Sequence, residues 1–179
     1  MNEAVLDGLP LAEADDRTEQ QREELYARIK KTSTCLLMTH NETGGILHIR
    51  PMTTQHVETP GILWFFMSSR GHLAEEVAAN PNVLLTYGDP ADGAYAAVHG
   101  HAIAVHDVEK VKELWTALAG AWFPGGPEDP HIALLRVTMS RAEAWEPTHG
   151  KVMQFLEIAA AALTKSVPQD DGTHRKIDF

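Results

Sequence analysis

The sequence predicts a mainly β fold with a few helices, arranged as a small antiparallel barrel with the helices outside it. Several short segments alternate apolar and polar residues, which is typical of half-buried strands. Short turns rich in Gly, Asn and Pro separate these segments and favour hairpins. Only a few stretches carry apolar residues at helical spacing, and they lie between the strands or at the ends of the chain.

Length and composition narrow the functional classes. A chain of 179 residues favours one domain with a real core, and a net charge of −10 argues against a nucleic-acid partner. No apolar run is long enough for a membrane span, and the acidic N-terminus does not resemble a secretory signal. The only cysteine, Cys35, lies in the apolar run CLLM, so we expect a buried, inert thiol and a cytoplasmic protein.

The first half of the chain predicts a helix followed by strands. Residues 1–16 are expected to form a flexible acidic arm, and a helix from Thr18 to Lys31 carries Leu25 and Ile29 on its apolar stripe. A Gly-rich turn at residues 41–45 predicts a hairpin between the first two strands. The predicted strands of this half are Thr34–Thr39, Ile46–His56 and Ile62–Met67.

The second half predicts further strands and three helices. Ser68 or Ser69 is expected to cap a helix that ends near Ala79. Asp107 is expected to cap a second helix, whose apolar residues run from Val108 to Leu118. The remaining elements are strands Val83–Tyr87, Tyr95–Val105, His131–Thr138 and Arg141–Trp145, and a helix Val152–Leu163. The domain is therefore expected to span residues 17–165, with a flexible tail at residues 166–179.

The segment LHIRPMTTQH has an unusual pattern for a strand. Strand geometry places Arg50 and Met52 on one face, with His48, Thr54 and His56, while Leu47, Ile49, Pro51 and Val57 share the face expected to point into the core. Pro51 lacks a ladder donor, so this strand is expected at a sheet edge or beside something other than a neighbouring strand. A mixed polar face on the outside of a barrel suggests a ligand or a second subunit.

The segment WFFMSSRGHLAEEV places a serine-rich turn where a strand runs into a helix. The N–H groups and the dipole of a helix start favour an anion, and Ser68, Ser69, Arg70 and His72 crowd this position. Together with Arg50, this helix start could hold a phosphate. The alternative is that the serines only cap the helix and that Arg50 is solvated or ion-paired.

Other arrangements carry weaker signals. His99 and His101 share a strand face, but no third residue has metal-ligand spacing, so we predict no metal site. No local signature of a catalytic nucleophile is present, and the catalytic residues cannot be assigned. Glu75 and Glu76 are expected to be a solvated pair in the first turn of their helix.

Several motifs resemble the pyridoxamine 5'-phosphate oxidase-like superfamily, and its general stress protein branch in particular. They are RPMTTQ, LWFFMSS, NPNVLLTYGDP, YAAVHGHAIAVHD, LWTALAGAWFPGGPEDP, LLRV and AEAWE, in this order. The resemblance spans about Thr18 to Lys165. It implies an antiparallel split β-barrel, a homodimer, and FMN bound in the cleft between the two subunits. The C-terminal segment DGTHRKIDF does not match the substrate-binding motif of the vitamin-pathway oxidases, so we do not expect that activity.

The resemblance also implies which residues bind the cofactor. Arg50 would bind the phosphate, and the backbone near the following residues would meet the polar edge of the ring. The usual phosphate-binding Ser and Lys appear here as Gly71 and Leu73, for which Arg70 and His72 could compensate. The implied cofactor-binding residues are Arg50, Pro51, Met52, Thr53, Thr54, Gln55, Phe66, Met67, Ser68, Ser69, Arg70, His72, Tyr95 and Trp122.

The resemblance leaves the biochemical role open. One hypothesis is a flavin-dependent oxidoreductase of unknown substrate, in which the flavin carries the electrons. A second is a stress protein that binds or senses the flavin without catalysis. A third is a split barrel that has lost FMN and binds another anionic small molecule, since one fold can host several functions.

Overall fold

The computed structural model describes residues 11–40, 47–146 and 173–179. Within these ranges the chain forms a sheet of eight strands and four helices. The strands are β1 (Thr34–His40), β2 (Leu47–Thr53), β3 (His56–Glu58), β4 (Ile62–Ser68), β5 (Asn82–Asp89), β6 (Ala94–Val105), β7 (Ile132–Glu146) and β8 (Thr173–Asp178). The helices are α1 (Leu11–Thr32), α2 (His72–Ala79), α3 (Val108–Leu114) and α4 (Ala117–Trp122).

The sheet is antiparallel, with the order β2-β1-β5-β6-β7-β4-β3 and with β8 added on β7. Its two end strands, β2 and β3, are consecutive in the chain. Thr54 N–H donates to the carbonyl of Ser33 at 2.7 Å, and Gln55 N–H donates to the carbonyl of Trp64 at 2.8 Å. These two residues therefore join both ends of the sheet and close it into the expected split barrel. They also divide the predicted strand Ile46–His56 in two.

The larger hydrophobic cluster fills the barrel. Ala96, Val98 and Ala102 point into it with at most 2% of their surface exposed, so β6 buries the face of small apolar residues that strand alternation over Tyr95–Val105 predicts to be the inner one. Gly100 completes this face at a bulge in the β6–β7 pairing. A Cβ at Gly100 would lie 2.6 Å from the carbonyl oxygen of Thr138, so glycine lets the two strands approach closely here.

A smaller cluster lies outside the barrel, where α3 and α4 cover one face of β4 and β7. Trp64, Phe66 and Leu134 belong to this cluster, together with Val111, Leu114, Ala119 and Ile132. The Phe66 ring makes edge contacts with Trp115 and Phe123, at centroid distances of 5.6 and 6.2 Å. Residues 63–67 are consequently buried on both faces of β4, which explains the unbroken apolar run in this strand.

Two predicted helix boundaries differ from the structure. Helix α1 begins at Leu11 and not at Thr18, so part of the predicted arm of residues 1–16 is helical. The predicted helix after Asp107 is two helices: Asp107 caps α3 as predicted, and Thr116 caps α4 by accepting a hydrogen bond from Ala119 N–H. The hydroxyl of Thr116 thus starts a new helix where the apolar pattern suggested continuity.

The C-terminal region also differs. The two predicted strands from His131 to Trp145 form the single strand β7, and the predicted break between them coincides with a bulge at Ser140, which the β6–β7 register skips between Met139 and Arg141. The predicted flexible tail of residues 166–179 is wrong for Thr173–Asp178, which pairs with β7 and buries Ile177 to 2% exposure. Arg22 of α1 further holds this strand by donating to the Asp178 carbonyl at 2.7 and 3.1 Å.

Two predicted elements, the turn at residues 41–45 and the helix Val152–Leu163, lie outside the described residues. The antiparallel pairing of β1 with β2 nevertheless agrees with the predicted hairpin. Among the described residues, no helix combines the length and the hydropathy that a bilayer crossing requires.

Candidate ligand-binding site

Strand β2 presents the opposite face to the one predicted. Ile49 is 58% exposed and Pro51 is exposed, whereas Met52 packs against the barrel core and the Arg50 side chain is only 24% exposed. The prediction that Ile49 and Pro51 line the core is therefore wrong. Strand β2 is an edge strand, as Pro51 predicted, and its Arg50 face turns inward because a carboxylate on α2 lies on that side.

That carboxylate belongs to Glu76, which is 3% exposed. Arg50 Nη2 donates to Glu76 Oε2 at 2.6 Å, and the Thr39 hydroxyl donates to the same oxygen. His48 Nδ1 bonds to the other oxygen, Oε1. Glu76 thus joins β1, β2 and α2 through three polar partners, and the prediction of a solvated Glu75–Glu76 pair is wrong for Glu76.

The partners of Glu76 determine its charge. Burial raises the pKa of the Glu76 carboxyl, but the hydrogen bonds from Thr39, His48 and Arg50 outweigh burial and hold its pKa below the usual range. The carboxylate is therefore ionised at neutral pH, and a buried anion lies against the Arg50 guanidinium. Neighbouring Glu75, by contrast, keeps 59% of its side chain exposed.

A cavity of about 400 Å³ opens beside this ion pair, and we call it the polar pocket. Arg50 and Glu76 form one wall, and the first turn of α2 forms another. Its lining residues are His48, Arg50, Met52, Phe66, Met67, Ser68, Gly71, His72, Leu73 and Glu76. The polar pocket therefore contains five of the predicted site residues besides Met52: Arg50, Phe66, Met67, Ser68 and His72.

A second cavity of about 330 Å³ lies between β2 and α4, and we call it the apolar pocket. It shares Met52 and Phe66 with the polar pocket, so the two cavities adjoin. Its lining residues are Thr34, Pro51, Met52, Thr53, Gln55, Phe66, Leu118, Ala119, Trp122 and Phe123. Both volumes fall within the range of about 300–1,000 Å³ that is usual for small-molecule sites.

The start of α2 differs from the prediction that a serine caps it. Gly71 is the N-cap, and no side chain caps the helix. The Ser68 hydroxyl accepts from Arg70 N–H at 3.3 Å, and Ser69 N–H donates to the His131 carbonyl at 2.8 Å. The first N–H groups of α2 are consequently free of a capping side chain at the edge of the polar pocket.

Four predicted site residues line neither pocket. Thr54 is 9% exposed, and its hydroxyl lies 2.8 Å from that of Tyr87 inside the barrel. Tyr95 is 47% exposed and pairs with Trp145 across β6 and β7, while Ser69 and Arg70 lie in the turn before α2. A contact of Tyr95 with the cofactor stays a prediction.

Several lining residues were missing from the predicted site. Glu76 is missing because an acidic pair in the first turn of a helix suits the helix dipole and is expected to be solvated, although its position three residues after Leu73 places both on one helical face. Phe123 and Leu118 are missing from the predicted site because the sequence predicts one continuous helix where the structure has α3 and α4. His48 shared the alternating face of Arg50, and this pattern could have included it.

The single cysteine takes no part in either pocket. Cys35 is 2% exposed, which confirms its predicted burial, and burial raises the pKa of its thiol to about 12, which favours an inert thiol. Within the described ranges, no three His, Cys, Asp or Glu side chains group as metal ligands would, and the lack of a metal site stays a prediction.

Comparisons with known proteins identify relatives of similar sequence. Protein bli-3 of Neurospora crassa is 24% identical over 155 residues, covering 82% of this chain and 74% of that protein. General stress protein 26 of Bacillus subtilis is 29% identical over 115 residues, covering 56% of this chain and 77% of that protein.

Solved structures show the same architecture. A protein named as a candidate general stress protein 26 from Jannaschia sp. CCS1 is 30% identical with a TM-score of 0.70, and the match covers 90% of this chain and 99% of that one. The general stress FMN/FAD binding protein of Xanthomonas citri is 26% identical with a TM-score of 0.64, covering 74% and 92%. The family model described as "Pyridoxamine 5'-phosphate oxidase like" matches residues 20–169. This chain therefore belongs to the pyridoxamine 5'-phosphate oxidase-like family.

Proposed function

We propose that this protein is a general stress-type flavoprotein that binds FMN across the two adjoining pockets. The observation that carries the proposal is their shared boundary at Met52 and Phe66, which joins an apolar cavity to a polar one. FMN has the same division, with a flat ring at one end and a phosphate at the other.

The polar pocket offers the groups that a phosphate needs. Arg50 supplies a guanidinium, Ser68 a hydroxyl and His72 an imidazole, beside the uncapped first turn of α2. Leu73 adds no cation to this end, and Glu76 adds an anion. The donors therefore fit a phosphate, but the net positive charge of the pocket is smaller than its number of donors suggests.

The apolar pocket suits a flat ring. Phe66 and Phe123 pack against each other and leave aromatic surface at the pocket, and Trp122 stands beside them with 78% of its surface exposed. On the opposite wall, β2 is an edge strand, so one side of its backbone faces no neighbouring strand and can meet the polar edge of a ring.

The relatives support a flavin as the cofactor, since one of them is named as an FMN/FAD binding protein, the Xanthomonas citri protein, and this chain matches 92% of its length. When bound, the flavin would supply electron or hydride transfer. The residues of this chain would bind and orient it and exclude water from the ring. On this basis we propose an oxidoreductase of unknown substrate, with a non-catalytic flavin-binding role as the alternative.

A homodimer is part of the proposal. Leu118 and Trp122 are 55% and 78% exposed at the open side of the apolar pocket, and a second copy would cover these side chains. Light scattering of the purified protein should give the mass of a dimer, and Trp122→Ala should shift it toward the monomer. A wild-type monomer at micromolar concentration would argue against this arrangement.

The test of flavin binding is direct. The purified protein should carry or take up FMN, with flavin absorbance bands that remain after gel filtration. Anaerobic reduction of the bound flavin by a nicotinamide cofactor, with reoxidation by an added acceptor, would support the oxidoreductase. Stable binding without reduction would support the non-catalytic role, and failure to bind FMN or riboflavin would refute the proposal.

A further inference from the structure

The polar pocket contains a charge arrangement that bears on which flavin it prefers. Arg50 is the only arginine or lysine among the lining residues, and its guanidinium already lies 2.6 Å from a Glu76 carboxylate oxygen. A phosphate that entered the pocket would therefore meet a cation whose charge is largely balanced. It would also meet the carboxylate itself, because Glu76 lines the same cavity.

The carboxylate cannot move away from an incoming anion. Both of its oxygens are engaged, Oε1 by His48 and Oε2 by Arg50 and Thr39, and the side chain is 3% exposed on a helix that packs against the barrel. Screening by water is weak at such a site, so the repulsion between Glu76 and a second anion stays strong.

We propose that Glu76 is a specificity-determining residue that competes with the phosphate for Arg50 and so reduces the preference of the site for FMN over riboflavin. This inference rests on the proposed flavin site. Riboflavin shares the ring and the ribityl chain but lacks the phosphate, and it meets no penalty from Glu76. The pocket can therefore bind flavins whose ribityl chain ends in an uncharged or weakly charged group, as well as FMN.

The decisive variant is Glu76→Gln in the full chain. Glutamine can still accept a hydrogen bond from Arg50 and bond with Thr39, so the packing is kept while the negative charge is removed. We expect FMN to bind roughly tenfold more tightly, from the removal of one like charge a few ångströms from the phosphate. Riboflavin affinity should change by less than about twofold.

The matched control is Glu75→Gln. Glu75 is the neighbouring residue of the same helix, carries the same charge and is exposed, and its carboxylate lies 3.3 Å from the exposed His72 ring. This variant should therefore change FMN affinity far less than Glu76→Gln does and leave riboflavin affinity unchanged. Binding is followed by quenching of flavin fluorescence during titration with wild type and both variants. Thermal unfolding of each protein shows that the fold is retained.

The outcomes separate this inference from the proposed function. A gain for FMN alone in Glu76→Gln supports it. Equal changes for the two flavins, or a loss for FMN alone, would overturn it, because Glu76 would then serve the fold or hold Arg50 in place for the phosphate. If no flavin binds to wild type, the proposed function fails, and inorganic phosphate then tests the inference: a larger rise in melting temperature with phosphate for Glu76→Gln than for wild type supports it, and an equal rise refutes it.

Discussion

Replacing Arg50 with alanine should destabilise the protein even in the absence of any ligand. The substitution removes the guanidinium and leaves the Glu76 carboxylate, 3% exposed, with only Thr39 and His48 as partners. Breaking a buried ion pair costs about 3–5 kcal/mol. Because the Arg50 side chain keeps 24% exposure and two partners remain, we expect a loss of roughly 1–3 kcal/mol. For a chain of this size that lowers the melting temperature by roughly 3–10 °C.

The measurement is denaturant unfolding of wild type, Arg50→Ala, and the double variant Arg50→Ala with Glu76→Gln. Removing the stranded charge should restore at least half of the lost free energy of unfolding, since a neutral amide tolerates burial better than an unpaired carboxylate. A single variant as stable as wild type would refute this account of the ion pair. So would a double variant no more stable than the single one, because the loss would then come from packing.

Three further predictions follow from other groups. Folding lowers the pKa of the Glu76 carboxyl from its ordinary value of 4.5. The ionised carboxylate therefore contributes its full stabilisation above about pH 4.5, and this stabilisation is lost as the pH falls through the lower pKa of the folded state. Melting curves measured below about pH 5 should show the loss of stability, and Glu76→Gln should make the loss smaller. Leu73→Lys adds a cation at the polar pocket, so titrations should show tighter binding of FMN but not of riboflavin, and equal changes would contradict this placement. Cys35, with its pKa raised to about 12, should not react with a thiol reagent in the native protein and should react after unfolding; a rapid native reaction would refute its burial.

The inner face of β6 could be predicted from the sequence, whereas that of β2 could not. In β6 one face carries Ala96, Val98 and Ala102, and the other carries Tyr95, His99 and His101, so the face of small apolar residues is the one expected in a crowded interior. In β2 both faces carry apolar residues. Which face is buried depends on Glu76, a residue 26 positions away that gives Arg50 a partner inside. A single strand pattern does not contain that information.

The site was predictable where its residues were adjacent in sequence and was missed where the fold brought distant ones together. Arg50, Ser68 and His72 were singled out from their local patterns, and the structure places them around one cavity. The serine cap was wrong because Gly71 takes that position, one residue before the helix. Ser68 and Ser69 bond to backbone groups of the loop and of His131 and not to the start of the helix. The sequence alone does not show which of these bonds a serine makes.

Strand β7 contacts more of the sheet than any other described strand, and this affects how the chain can fold during synthesis. It pairs with β4, β6 and β8, whereas β1, β2, β5 and β6 can pair with one another before β7 exists. While the ribosome is still making residues before Ile132, the barrel lacks the β7 side chains, Leu135 and Val137 among them, that complete its core. Nascent chains of this length therefore expose apolar surface and unpaired strand edges, the features that recruit chaperones or lead to aggregation. The last quarter of the chain, from Ile132 onward, is thus the part whose synthesis allows the barrel to close.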